Sequence, residues 1–412
     1  MKYNPLEFSG KYIDQFEFID GRYKFRYNIA SHEIEYIELN HNQTAKTEWE
    51  SFTDRTFYAI STDLMELKLD IPESKLKQFI NSPKIAPDYD PFNEYFCGLE
   101  PWGGNVDYID QLAKTVATKE SELFVEMFKR YLVGTVDCLL NESKSHDICL
   151  VFQGGQGIGK SRWMRKLMPK GMDYKYFYEG EINTSDKDHT EYLSAFWFIH
   201  LDELESISNN KIGSLKSFIT KRHIQHRKAF GKFRSRFVRR ASFLGSVNDD
   251  KFLSDTTGNR RWLVFNVSKL DYQHDINMDN VWSQAHSLLL SGKQHWLNTD
   301  EVAMMNDRNE QFRNQTKEEE MMLDNFDMLE YGQSNGEWFS STEIINRMMQ
   351  YNPKMATGLN TFKMGKSLSK HSNSKKMKGG ITRYYCKYVG PIDTLENQTN
   401  LKIVGSDDDL PF

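Results

Sequence analysis

The eight residues 154–161, Gly154, Gly155, Gln156, Gly157, Ile158, Gly159, Lys160 and Ser161, follow the pattern G-x-x-x-x-G-K-[ST]. Average residue usage would place such a match by chance in roughly one or two chains in a hundred of this length. An apolar run precedes it and a helical pattern starts at Ser161. The glycines allow backbone N–H groups to turn inward toward phosphate oxygens at a helix start. Lys160 is then expected to reach the β- and γ-phosphates, and the Ser161 hydroxyl to ligate Mg²⁺. ATP and Mg²⁺ are the cofactors this predicts.

Such a site needs a second metal-holding acid at a strand end, and the stretch AFWFIHLDE supplies one. Residues 196–201 read as a buried strand ending at Asp202 and Glu203, where α/β sites form. Asp202 is expected to hold Mg²⁺ through water, and Glu203 to orient and polarise an attacking water. A carboxylate pair there can also simply cap a helix. Small-molecule kinases need no water-activating Glu at this place, so Glu203 points to hydrolysis coupled to mechanical work. A third strand, ASFLGSVN, ends at Asn248, which can sense the γ-phosphate and hold the lytic water, or can be a turn residue. In TTGNRRWLVFNV, Arg260 and Arg261 precede another buried strand. One of them, directed at a neighbouring subunit's nucleotide, would stabilise transition-state charge; the other fits an ion pair equally well.

Between these strands lies KRHIQHRKAFGKFRSRFVRR, two strands around a turn at Phe230, Gly231 and Lys232. A basic hairpin tip in a central pore would grip a phosphodiester backbone. Lys228, Lys232 and Arg227 are the contact candidates, and Phe230 either stacks on a base or anchors the hairpin. His223 and His226 sit in positive surroundings that disfavour a metal. The net charge of −5 argues against a polyanion, but its distribution does not. No Asp or Glu occurs between Glu205 and Asp249, nor between Glu343 and Asp393. Two basic blocks in an acidic chain predict contact with an anionic polymer.

The elements around these residues predict an α/β fold. At 412 residues and 39% hydrophobic content, two or three domains are expected. YKFRYNI and IEYIEL alternate at period two as a hairpin, and PESKLKQFIN follows as a helix, within a small α+β domain at 1–88. SPKIAPDYDPF reads as a linker. Residues 89–140 are predicted helical, and 141–315 form the α/β core. A helical connector is expected at 316–335, a small basic domain at 336–392 and an acidic tail at 393–412. The four cysteines are scattered and form no CxxC pair. No apolar run suits a signal or a membrane span, so a reduced cytoplasmic protein without membrane contact is expected.

The stretches FNEYFCGLEPWGGNVDYIDQL, FQGGQGIGKS, FIHLDELES, FLGSVNDDKFLSDTTGNRRWLV and VWSQAHSLLLSGKQHWL occur in an order and spacing that resembles the virulence-associated E family. The likeness covers roughly residues 90–315. These are AAA+ ATPases allied to superfamily-three helicases of phages and mobile genetic elements. The resemblance implies an AAA+ P-loop core with a helical collar at 89–140, and a replicative DNA helicase working as a hexameric ring with ATP sites between subunits. It implies Lys160 and Ser161 as the P-loop pair, Asp202 and Glu203 as Walker B acids, Asn248 as sensor one, Arg260 or Arg261 as the finger, and the Phe230-Gly231-Lys232 turn as a single-strand DNA hairpin. Larger relatives carry a primase domain; the short N-terminal unit here has no recognisable priming acids, so a separate primase is expected. A non-translocating regulatory ATPase and an origin-melting initiator are the alternative readings.

Residues 336–392 read as a winged helix binding duplex DNA. Ser340 and Glu343 make a capping box, Phe339 can staple to Ile344, and NTFKMGKSLSKH is the recognition-helix candidate. Lys363, Lys366 and Lys370 fall on one helical face. KKMKGGITRYYCKYV would be the wing, turning at Gly379 and Gly380. A protein-docking domain is the plainer alternative. The last residues, Asp407, Asp408, Asp409, Leu410, Pro411 and Phe412, resemble the acidic tip of bacterial single-stranded-DNA-binding proteins and predict docking of host replication proteins; a solubilising tail is the alternative.

Overall fold

In the strand Cys149–Gln153 the first four residues are apolar without alternation, as in a strand covered on both faces, and all five are buried. The protein is described here by a computed structural model covering residues 10–39, 48–206, 209–222, 224–226, 235–249, 251–253, 259–351 and 353–390. Cys149–Gln153 lies inside a six-stranded sheet whose spatial order is Val116–Thr118, Trp262–Leu270, Cys149–Gln153, Ser242–Val247, Phe198–Leu201 and Phe177–Glu179. The last five are mutually parallel, and Val116–Thr118 pairs antiparallel at the edge. Val247 lies opposite Gln153, and Gly245 opposite Leu201. Phe198–Leu201 thus ends two residues short of the other two, and the residues that follow all three strands emerge at the same end of the sheet.

Side-chain alternation divides the core. Leu150 and Phe152 face a cluster with Phe124, Phe128, Trp163 and Trp282. Cys149 and Val151 face another with Leu215, Phe218, Phe252 and Phe312. The collar expected at 89–140 is thus no separate layer. Tyr131 of the helix Ser121–Leu140 donates its hydroxyl to the carbonyl of Phe243 at 2.7 Å. Nor is that region wholly helical, because Val116–Thr118 is a strand too short to show a period.

Tyr23–Asn28 and Glu33–Glu38 form the expected hairpin. Asp88–Tyr89 adds to the same sheet, parallel to Tyr23–Asn28. The stretch expected as a linker is therefore sheet edge and helix cap. Asp90 accepts the N–H groups of Phe92 and Asn93, each at 3.1 Å, and pairs with Arg240 at 2.7 Å. Glu35 ties this sheet to the core. Its buried carboxylate accepts from Arg26 at 2.6 Å, from Asn28 at 2.8 Å and from Lys175. Burial alone would raise its pKa, but the bonds from Lys175, Asn28 and Arg26 outweigh it and hold the carboxyl below its ordinary value.

Part of the first basic block is structural, a correction to its reading as polymer contact. Arg239 and Arg240 are buried and donate to backbone carbonyls, Arg239 to Ala241 and Ile219, Arg240 to Leu139. Lys216 is buried as well.

The chain divides into two units, Met1–Arg313 and Asn314–Phe412. In the second, Ser340 and Glu343 form the expected capping box, with N–H bonds of 2.7 and 3.3 Å. Helix Thr361–His371 packs with helix Ser341–Tyr351 around Ile344, Met348, Met364 and Leu368. Strands Lys375–Lys378 and Ile381–Tyr388 pair antiparallel, and Gly379 and Gly380 turn between them at φ 62° and 77°, the left-handed pair that a two-residue hairpin turn requires. The connector expected at 316–335 instead belongs to this core, through Met321, Met322 and Phe326. Its acidic run hid the pattern, yet Glu318 and Glu319 are themselves buried.

Glu35→Ala would leave two cations and Asn28 facing each other, and should cost about 3 kcal/mol in a urea titration. A depressed carboxyl stabilises the fold above its unfolded pKa near 4.5 and loses that contribution as pH falls through the folded value. The wild type should therefore lose stability below about pH 4 more steeply than Glu35→Ala.

Candidate active site

Gly154 follows the central strand and donates its N–H to the carbonyl of Val247 at 3.1 Å. A Cβ on Gly154 would lie 2.3 Å from the Val267 carbonyl oxygen, so no other residue fits there. Gly159 sits at φ 95° before the helix Lys160–Arg165, and a Cβ on it would meet the Tyr272 ring at 2.3 Å. Ile158 packs toward the core and anchors the loop, while Gly155, Gln156 and Gly157 are exposed.

Lys160 is buried to 7% exposure. Its ammonium donates to the carbonyls of Gly154 and Gly155 at 2.7 and 2.9 Å, and to Oδ1 of Asn248 at 2.9 Å. Burial lowers its pKa, against the opposing pull of Glu205 and Asp202. Asn248 in turn gives its backbone N–H and its Nδ2 to one oxygen of Glu205, both at 2.9 Å. A polar chain thus runs from the 154–161 loop through Asn248 to the segment after the Phe198–Leu201 strand.

Asp202 accepts from the Ser246 hydroxyl and from the Glu203 N–H at 3.2 Å. Both bonds go to Oδ1. Glu203 is exposed and held at φ 50°, a left-handed backbone that costs a non-glycine residue about 1–3 kcal/mol. Strain of that kind is kept where a side chain must be aimed. Gln156, Lys160, Ser161, Asp202, Glu203 and Asn248 line a cleft of about 320 Å³, with Tyr272 and Arg162 along its wall. Among the described residues no group of three His, Cys, Asp or Glu could hold a metal. Ser161 with Asp202 does suit a magnesium ion that arrives with phosphate ligands, since Mg²⁺ takes few protein oxygens beside them.

Two residues of this site were missed from sequence. Glu205 had a signal, as the third carboxylate in Asp202-Glu203-Leu204-Glu205. Tyr272 had none, since it follows the Trp262–Leu270 strand in an ordinary loop; the guanidinium of Arg162 lies 5.4 Å from its ring centre.

Arg260 and Arg261 stand apart from this cleft. They precede Trp262, which pairs with Cys149, the first residue of the central strand. That is the opposite end of the sheet from the 154–161 loop, about 13 Å of strand away. There they line a second cleft of about 360 Å³ with Lys144, His146, Arg222 and His295. Arg260 is exposed and Arg261 half-buried.

The expected basic hairpin has its base in place. Ile224–His226 pairs antiparallel with Ser235–Phe237, anchored by buried Ile224 and Phe237. The ring of His32 lies 4.2 Å from that of Phe237. Arg227, Lys228, Phe230 and Lys232 lie outside the described residues, as do His223, Asp407, Asp408, Asp409, Leu410, Pro411 and Phe412. In the second unit, Lys363 and Lys366 are exposed on helix Thr361–His371, whose start Asn360 caps. Lys370 is exposed on the same helix and pairs with buried Glu319 at 3.5 Å.

A sequence profile of the virulence-associated protein E-like domain matches residues 99–314, slightly more than half of the chain. No curated protein matches the sequence. Among solved structures, the apo structure of the NrS-1 C-terminal region (305–718) aligns over 90% of this chain and 97% of that one, with a TM-score of 0.46 and 11% identity. An A-form apo structure of the same region aligns over 90% and 98%, with a TM-score of 0.44 and 10% identity.

Gly159→Ala should lower stability by about 1–2 kcal/mol for its left-handed backbone alone, and by more for the clash with Tyr272. Adding Tyr272→Ala should recover the clash share and leave the backbone share. Denaturant unfolding of the two single variants and the double variant measures both.

Proposed function

The chain belongs to the virulence-associated protein E-like domain family, and on that premise we propose that it is an ATP-dependent DNA helicase serving replication of a phage or mobile genetic element. The observation that carries this is the convergence of Lys160, Asn248, Glu205, Asp202 and Glu203 just beyond the C-terminal ends of three adjacent parallel strands. A phosphate loop alone fits many nucleotide enzymes. A loop lysine bonded to an Asn at one neighbouring strand end, with an exposed Glu at the next, fits hydrolysis of the γ-phosphate bond.

In this reading the core is an AAA+ domain. Backbone N–H groups of 154–161 hold the phosphates, and Lys160 moves from its carbonyl partners to the β,γ-oxygens. Ser161 and Asp202 would hold Mg²⁺, which supplies charge neutralisation on those oxygens. Glu203 takes the proton of the attacking water, and Asn248, steadied by Glu205, orients that water. Arg260 and Arg261 sit too far from their own loop to act on it. Their place at the far sheet edge supports a finger offered to a neighbouring copy, and so a ring, with a hexamer as the proposed assembly. The hairpin rising from Ile224 and Phe237 would grip single-stranded DNA through Arg227, Lys228 and Lys232. The second unit is read as a winged helix that contacts duplex DNA through Lys363 and Lys366. A separate primase, and host proteins docked at the C-terminal tip, complete the proposal.

Strand displacement on forked DNA tests it. Wild type should unwind with ATP, Lys160→Ala should neither unwind nor turn ATP over, and Lys232→Ala should lose unwinding while keeping basal ATP turnover. A wild type that hydrolyses ATP without unwinding, and without stimulation by DNA, would instead favour a regulatory ATPase.

A further inference from the structure

The hairpin formed by Lys375–Lys378 and Ile381–Tyr388 carries two apolar side chains where packing gives no reason for them. Met377 is 74% exposed and Ile381 53% exposed. Isolated exposed apolar residues are ordinary on protein surfaces. The placement of these two is not. Lys378 pairs with Ile381 beside the Gly379-Gly380 turn, and Met377 pairs with Thr382 on the next rung. Residues directly opposite each other share a face, so Met377 and Ile381 point to opposite faces of one ribbon tip. Lys375, Lys376 and Lys378 flank them, all exposed. The sequence from Ile344 to Gly390 has no Asp or Glu to offset that charge.

The ribbon is also tied to the basic helix. Tyr384, on the Met377 face, donates its hydroxyl to the carbonyl of Gly365 within Thr361–His371 at 3.3 Å. Lys363 and Lys366 stand exposed on that helix. On the other face, the Lys376 ammonium lies 4.0 Å from the centre of the Trp338 ring. A two-residue turn thus projects two apolar tips from a lysine-rich ribbon beside a lysine-bearing helix.

We propose that this tip is an apolar wedge that enters between base pairs of duplex DNA, while the lysines hold the phosphates on either side. This rests on the reading of the second unit as a duplex-binding unit. A two-stranded ribbon is narrow enough for a DNA groove, and Met and Ile are among the side chains that unstack base steps when they enter one. The lysines supply affinity without sequence preference. Insertion supplies distortion, which separates the two roles experimentally. A lipid surface is the rival occupant, since apolar tips among lysines also suit anionic headgroups. The helix bearing Lys363 and Lys366 alongside the ribbon favours the duplex, which can engage both.

The test uses the full chain and a duplex with 2-aminopurine at successive positions, read by fluorescence and by anisotropy over a salt series. Wild type should raise the fluorescence severalfold at one or two positions. Met377→Ser with Ile381→Ser should abolish that rise and keep the slope of log affinity against log salt. Lys375→Ala, Lys376→Ala and Lys378→Ala together should flatten the slope by up to about 0.9 for each phosphate left without its lysine. An unchanged fluorescence rise in the Met377/Ile381 variant overturns the wedge. So does a variant whose only defect is in binding phosphatidylserine vesicles. Duplex binding by wild type with no fluorescence rise removes the wedge alone, whereas no duplex binding at all removes the reading of the second unit as well.

Discussion

Parallel pairing of Ser242–Val247 with Cys149–Gln153 on one side and with Phe198–Leu201 on the other fixes where Lys160, Asp202, Glu203 and Asn248 emerge into the candidate cleft. A slip of one residue would turn each side chain to the other face of the sheet. It would carry Asn248 away from Lys160 and Ser246 away from Asp202. Close packing guards the register. Gly245 lies so near Leu204 that a Cβ on it would come within 2.6 Å of that side chain, and Val151 and Cys149 close the other side. The same packing seats the short helix that carries Glu205. The core therefore does more than stabilise the chain: its strand ends set where Lys160, Ser161, Asp202, Glu203 and Asn248 meet.

Charge is handled in two ways around that sheet. Buried Glu35 is paired with half-buried Arg26 and Lys175, and buried Arg240 with Asp90. These join the N-terminal sheet to the core and serve structure. At the cleft the partners are weaker and exchangeable. Lys160 rests on two carbonyls and an amide oxygen rather than on a carboxylate. A phosphate can replace such partners without first breaking a buried ion pair, whose rupture would cost several kcal/mol. This contrast supports reading the cleft, and not the cluster at Glu35, as the working site.

The grouping of 154–161 with Asp202 and Glu203 in one cleft was legible because a phosphate site demands fixed residue types at fixed local spacing. Strand positions around them were legible from unbroken apolar runs. What escaped was set by tertiary packing. Tyr272 enters the site through its approach to Gly159, which no local pattern encodes. Arg239 and Arg240 look in sequence like surface charge, and only the carbonyls around them show that they are interior. Val116–Thr118 is too short to carry a period, and the acidic run at Glu318 and Glu319 masked the apolar stripe of Met321, Met322 and Phe326. The paired strands that end at His226 and begin at Ser235 agree with the reading of a basic hairpin, while its tip lies outside the described residues.

The central claim is that Glu203 activates water at a phosphate site held by residues 154–161. Binding and turnover of ATP with Mg²⁺, measured side by side for wild type and Glu203→Gln, test it most directly. The account predicts that Glu203→Gln binds ATP as tightly as wild type and loses turnover by about a hundredfold or more, as loss of a general base does. Turnover by Glu203→Gln at the wild-type rate would contradict the assignment, and failure of the wild type to bind ATP would contradict the site itself.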